Sequence, residues 1–159
     1  MTGEGASALP SEWLARHGWF PGRDIGAQAE ELIEFRVQDS VRQGHPLTLF
    51  QRAATFIHSY GLLKLPHPKA EGSALHLDPK GRYEGDAEEI AELSEGLGTL
   101  LFPVGFEEAD LSLLLVDDKE RFFFLHHTGA YYAGEGASQM FDWFINNVDL
   151  PDAEDLFVS

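Results

Sequence analysis

The sequence contains no cysteine and no long apolar run, and both absences narrow the possible functions. Without cysteine the chain forms no disulfide, iron–sulfur cluster or thiolate zinc site, and it has no cysteine nucleophile. The longest apolar runs, Leu111–Val116 and Phe122–Leu125, are much shorter than the ~20 residues that a membrane-spanning helix requires. The first ten residues have neither a basic region nor an apolar core, so we expect no secretory signal and a cytoplasmic location.

Basic residues are scarce in the second half of the chain. The formal charge is −16, from 11 Lys and Arg against 27 Asp and Glu. Residues 1–83 hold nine of each sign, whereas residues 84–159 hold 18 acidic residues and two basic ones, Lys119 and Arg121. This distribution disfavours binding to nucleic acid and to anionic membranes, because both attract positive charge. It is compatible with a basic protein partner and also with solubility alone.

The length of 159 residues favours a single domain. We expect a flexible N-terminus over residues 1–10, one domain over residues 11–148 and an acidic C-terminal tail over residues 149–159. Periodicity and end signals predict five helices: Trp13–His17 after an N-cap at Ser11, Ala27–Arg42, Leu47–Ser59, a helix from Asp86 to Gly98 with Glu89 completing a capping box, and Ala137–Asn147.

Alternating or continuous apolar residues predict four strands: Leu62–Leu65, Ala74–Leu77, Leu111–Val116 and Arg121–His126. The last two form a hairpin, and within it Phe123 must face away from Phe122 and Phe124. Leu100–Gly105 is interpreted as an apolar segment ending in a turn, and residues 128–136 as a glycine-rich connection. The order of elements predicts an α+β fold, in which helices pack alongside one face of a twisted, mostly antiparallel or mixed sheet.

Catalytic motifs are missing from the sequence. There is no Gly-x-Ser-x-Gly, no Gly-x-Gly-x-x-Gly and no Gly-x-x-x-x-Gly-Lys-Ser/Thr. The histidines do not have the spacing of a zinc clip; His67, His76 and Asp78 could converge around a loop, but so loose a set is more typical of surface residues. We therefore predict no catalytic residue, no metal and no cofactor. By elimination, the residues favour a binding role.

Four short motifs in order resemble the third group of bacterial SUKH immunity proteins. The segment His17–Ile25 is similar to the Gly-Trp-x-Pro-Gly-Arg signature of that group, and Phe56–Leu65 is similar to its helix, glycine and following strand. Leu101–Gly105 is similar to its apolar-Pro-x-Gly turn, and the hairpin and last helix complete the series. The chain departs from the family where a glycine is common: Leu62 follows Gly61, and Glu120 precedes Arg121.

The resemblance implies an α+β domain that binds a polymorphic toxin, often a nuclease or deaminase. It implies a scaffolding role for the motif residues Trp19, Pro21, Gly22, Arg23, Gly61, Pro103 and Gly105. For the partner surface we predict the acidic residues of the hairpin and the loop before it: Glu107, Glu108, Asp110, Asp117, Asp118 and Glu120. We expect the free protein to be a monomer.

Two other functions stay open at this stage. The first is a regulatory adaptor for an endogenous protein partner, since relatives of the SUKH group also occur outside toxin systems. The second is a hydrolase or metal enzyme with His76 or His126 as a ligand.

Overall fold

The computed structural model describes residues 9–158 and contains five α-helices, six strands and a short 3₁₀ helix among them. The helices are α1 (Pro10–Arg16), α2 (Ala27–Arg42), α3 (Gln51–Tyr60), α4 (Asp86–Leu97) and α5 (Ala137–Ile145). The strands are β1 (Lys64–Pro66), β2 (Ala74–His76), β3 (Leu101–Glu107), β4 (Leu113–Asp117), β5 (Arg121–His126) and β6 (Gly129–Glu135). The 3₁₀ helix spans Ala153–Leu156. Most of the flexible N-terminus predicted for residues 1–10 lies outside the described residues.

The six strands form one sheet in chain order, and each neighbouring pair is antiparallel. The central hairpin pairs Val116 with Phe122 and Leu115 with Phe123. Helix α4 lies in the connection from β2 to β3. The fold is therefore α+β, as the order of elements predicts.

Helices cover both faces of this sheet, which corrects the expectation that they cover only one. On the first face Phe122 and Phe124 pack in a cluster with residues of α1, α2, α3 and α5. On the second face Phe123 and Leu125 pack with residues of α4 and with Ala153 of the 3₁₀ helix. Phe123 thus faces away from its two neighbours, as the period of a strand requires. Strands buried on both sides read as nearly continuous apolar runs, which explains the sequence of β4 and β5.

Two strands, β3 and β6, were not predicted from the sequence, because glycine and proline in β3 and glycine in β6 obscure the pattern of a strand. β3 contains Pro103 and Gly105, and the register to β4 shifts between them. A bulge tolerates a proline, which has no N–H for the ladder. Gly105 lies so close to β2 that a Cβ atom there would come within 2.3 Å of the His76 carbonyl oxygen. The Leu100–Gly105 segment is therefore a strand and not a turn, and the glycine-rich residues 129–135 form β6.

Several predicted helix ends were wrong for identifiable reasons. The N-cap of α1 is Leu9 rather than Ser11. Helix α3 begins at Gln51 because the segment before it is held extended, with the Leu47 amide donating to the Ser40 hydroxyl. Helix α4 has no capping box: its N-cap is Gly85, and Asp86 turns into the protein toward Arg36.

The predicted tail packs against the domain within the described residues. The Tyr132 amide donates to the Pro151 carbonyl oxygen, and the Val158 amide donates to the Gly96 carbonyl oxygen. Ala153 is fully buried between these contacts. None of the helices in residues 9–158 is long and apolar enough to cross a membrane.

Candidate partner-binding surface

The Gly-Trp-x-Pro-Gly-Arg segment is bound to the C-terminal end of α3. Arg23 donates to the carbonyl oxygens of Ser59 (2.8 Å) and Gly61 (2.9 Å), so its charge lies at the negative end of the helix. The Trp19 ring stacks on Tyr60 with centroids 5.4 Å apart, and its Nε1–H donates to the Ser59 hydroxyl. These contacts involve the protein's own helix, which is the geometry of a scaffold.

His58 of α3 makes a second connection to the loop that contains the Gly-Trp-x-Pro-Gly-Arg segment. The His58 ring lies 2.6 Å from the Asp24 carboxylate and 2.5 Å from the Glu30 carboxylate. These two hydrogen bonds raise the pKa of His58 above its ordinary value. The loop is thus fixed to α2 and α3 by polar contacts.

At the two positions where the chain departs from the family pattern, the backbone has a conformation typical of glycine. Leu62 and Glu120 have φ angles of 69° and 65°, in the left-handed region that favours glycine. Both positions therefore retain the turn, at a cost of about 1–2 kcal/mol each for a side chain in that conformation.

Three of the predicted partner residues lie at the turn from β3 to β4, and each is held by neighbours. Glu107 is buried and accepts hydrogen bonds from the Ser73 hydroxyl and the Asp110 amide. Glu108 is exposed and lies 2.6 Å from the His76 ring, and this hydrogen bond lowers the pKa of Glu108. Asp110 is exposed and accepts from the amide and hydroxyl of Ser112.

The other three lie at the turn from β4 to β5. Asp117 is fully buried; it accepts from the amides of Lys119 and Arg121 and pairs with the Arg121 guanidinium at 2.7 Å. Asp118 accepts a hydrogen bond from the Thr99 hydroxyl, and Glu120 pairs with Arg52 of α3.

The structure does not bring these six residues together. The two turns lie at opposite ends of the five-residue strand β4, so they are roughly 15 Å apart at about 3.4 Å per residue. Glu107 and Asp117 are buried and hydrogen-bonded, which makes them parts of the turns rather than of a free surface. Glu108, Asp110, Asp118 and Glu120 are exposed, and their role in binding a partner stays a prediction.

A second set of acidic residues is free of such contacts. The outer face of α4 and the 3₁₀ helix expose five carboxylates that form no ion pair and no side-chain hydrogen bond within residues 9–158: Glu88, Glu92, Glu95, Glu154 and Asp155. Helix α4 has no basic residue in its last turn, although a cation is favourable there. We name these five carboxylates the α4 acidic face.

This face was not predicted from the sequence, because the pattern of α4 was interpreted by its buried stripe alone. A usable signal was present: Glu88, Glu92 and Glu95 are spaced by four and three residues, which places them on one side of a helix. Like charges at these spacings destabilise a helix by about 0.2–0.5 kcal/mol per pair. The chain therefore carries a small local cost on this helix.

The histidines considered as metal ligands have other partners. His67 accepts the Lys69 and Ala70 amides at Nδ1, and its Nε2 lies 3.0 Å from the Phe144 carbonyl oxygen. His76 stacks on Phe106 and pairs with Glu108. Within the described part of the chain no three His, Cys, Asp or Glu residues are grouped to hold a metal ion.

Comparison with known proteins agrees with the motif series. A search of curated proteins and a search of solved structures each found no match. The family model of the SUKH-3 immunity protein matches residues 9–147, which is most of the chain. The chain therefore belongs to the SUKH-3 immunity protein family.

Proposed function

We propose that this chain neutralises a cognate polymorphic toxin, of the nuclease or deaminase class, by binding it directly in a one-to-one complex through an acidic surface. The family match supports the immunity role. The observation that carries the acidic surface is the α4 acidic face, where five carboxylates have no partner within residues 9–158. The protein acts as a binder without catalysis and is a monomer until it meets the toxin.

The charge of the proposed surface suits the chemistry of such a toxin. An enzyme that grips a nucleic acid needs Lys and Arg where it holds phosphates. An acidic surface attracts this region and excludes the nucleic acid from it. Long-range attraction between opposite charges raises the association rate and selects the partner, more than it deepens the final affinity.

The exposed turn carboxylates are a second, weaker candidate for the same contact. Glu108, Asp110, Asp118 and Glu120 are accessible, but each already has a polar partner in the domain. These carboxylates keep free acceptor sites on their oxygens, but a partner within the domain already sets the position of each one, whereas the carboxylates of the α4 acidic face have no such partner within the described residues.

Expression of the toxin gene next to this gene in a heterologous host tests the proposal. With this chain co-expressed, we expect the host to survive and the two proteins to co-purify at equal molar amounts. The affinity should fall as salt rises, because the attraction is electrostatic. A neighbouring gene whose product is harmless, or a toxin that is neither bound nor neutralised, would contradict the proposal and favour the regulatory adaptor.

A further inference from the structure

A groove beside the α4 acidic face has an apolar floor and an acidic rim. It has a volume of about 410 Å³ and lies between α4, the turn from β5 to β6, and the 3₁₀ helix. Leu93, Leu125, Ala130 and Ala153 contribute the apolar part. The rim carries three glutamates, one from the 3₁₀ helix and two from α4: Glu154, Glu89 and Glu92.

The C-terminal residues build one wall of this groove by lying on a glycine of α4. Phe157, which lines the groove, packs on Gly96, where a Cβ atom would come within 2.9 Å of the ring. A glycine inside a helix costs about 1 kcal/mol relative to alanine. Because Gly96 has no side chain, the C-terminal segment can approach the helix closely. The Val158 amide donates a hydrogen bond to the Gly96 carbonyl oxygen and holds the segment there.

Two histidine rings line the end of the groove at the turn. His126 and His127 have ring centroids 3.9 Å apart. The Nδ1 atom of His126 accepts the Thr128 amide, which leaves Nε2 to carry the ring proton, 3.6 Å from Asp110. Flat imidazole faces and carboxylates at one site favour a planar cation.

We propose that this groove receives an arginine from a basic segment of the toxin. The aliphatic stem of arginine covers an apolar floor while its head remains at a polar rim. The planar guanidinium donates up to five hydrogen bonds, and it bonds carboxylates in pairs. Glu92 and Glu154 have no partner within the described residues and are therefore free to accept them. This inference rests on the proposed function, because the toxin supplies the occupant.

A larger cleft elsewhere serves as an internal comparison. It has a volume of about 590 Å³ and lies between α3 and the turn from β4 to β5. Its charged residues Arg52 and Glu120 pair with each other, so it presents no excess of either sign. Nothing in its charge selects a basic occupant.

Binding of the purified toxin to four variants of the full chain tests the inference. Glu92→Gln/Glu154→Gln removes two negative charges from the rim, and Glu12→Gln/Glu31→Gln removes two from exposed positions on α1 and α2 as the matched control. Ala130→Phe fills the groove without a change of charge, and Thr55→Phe places the same ring in the larger cleft. Circular dichroism establishes that each variant is folded.

We expect Glu92→Gln/Glu154→Gln and Ala130→Phe each to raise the dissociation constant of the toxin complex at least tenfold. The control pair and Thr55→Phe should stay within about twofold of the wild type. Wild-type binding with no effect of Glu92→Gln/Glu154→Gln would overturn the groove but leave the proposed function intact. Loss on Thr55→Phe alone would assign the contact to the larger cleft. A wild-type chain that does not bind the toxin would refute the proposed function itself, and the inference with it.

Discussion

The carboxylates of the β-turns and those of the outer face of α4 belong to the same acidic half of the chain but have different surroundings. At the turns, each of the six predicted residues has a hydrogen-bond or ion-pair partner, as Asp117 has in Arg121. On the α4 acidic face, Glu92 and its neighbours have none within the described residues. The comparison teaches that the net charge of a segment does not locate a partner surface. We therefore base the proposed surface on the carboxylates that the fold leaves without partners.

Asp86 is the strongest case of a carboxylate used by the fold. It is fully buried, pairs with the buried Arg36 at 2.7 Å and also accepts the Tyr83 amide. We expect Asp86→Ala to cost about 3–5 kcal/mol of unfolding free energy, because it leaves the buried Arg36 guanidinium with only the Asp39 carboxylate, 3.6 Å away. Chemical denaturation measures this loss. The double change Arg36→Met/Asp86→Ala should lose less than the single one; an equal or larger loss would show that the pair is not the cause.

Substitution of Asp117 should cause the next largest loss of unfolding free energy. Its carboxylate satisfies two turn amides and the Arg121 guanidinium, and each donor left unsatisfied costs about 1–3 kcal/mol. We expect Asp117→Ala to lower the unfolding free energy by about 2–4 kcal/mol, since water can reach part of the opened turn. The exposed neighbour is the control: Asp118→Ala should cost below about 1 kcal/mol. Equal losses at both positions would break the distinction between buried and exposed turn acids.

A charge reversal on the α4 acidic face should raise the unfolding free energy, whereas the two substitutions above lower it. Glu92→Lys replaces repulsion by attraction toward Glu88 and Glu95, so we expect a gain of about 0.2–0.5 kcal/mol per pair in unfolding free energy. The same change should weaken toxin binding, because it reverses a charge at the groove rim. A variant that gains stability and loses affinity is the signature of a surface kept for function. A loss of stability would show that Glu92 has a structural role.

The sequence predicted the elements with strong periodicity and missed those defined by contact. Ala27–Arg42 was predicted with its observed bounds, because α2 has apolar residues at helical spacing and a glycine near either end, although the second half of its buried face is polar. β3 and β6 were missed, since a bulge near Pro103 and the glycines of residues 129–135 hide the pattern of a strand. Local sequence propensity does not mark either strand. Only the pairing of each strand with its neighbours in the sheet reveals it.

The candidate site was less predictable than the fold for a related reason. Composition identified the acidic half, but exposure and pairing depend on tertiary contacts such as Asp117 with Arg121 and Phe157 on Gly96. The left-handed backbone at Leu62 and Glu120 was equally hidden, because leucine and glutamate rarely adopt this conformation and do not signal it in a sequence.

Hydrogen–deuterium exchange of the chain with and without its toxin tests the central claim most directly. We expect the toxin to slow exchange in α4, in the turn from β5 to β6 and in residues 153–158, while α1 and α2 exchange as in the free protein. Slowed exchange confined to α1–α3 and the loop between α1 and α2, with α4 unaffected, would contradict it.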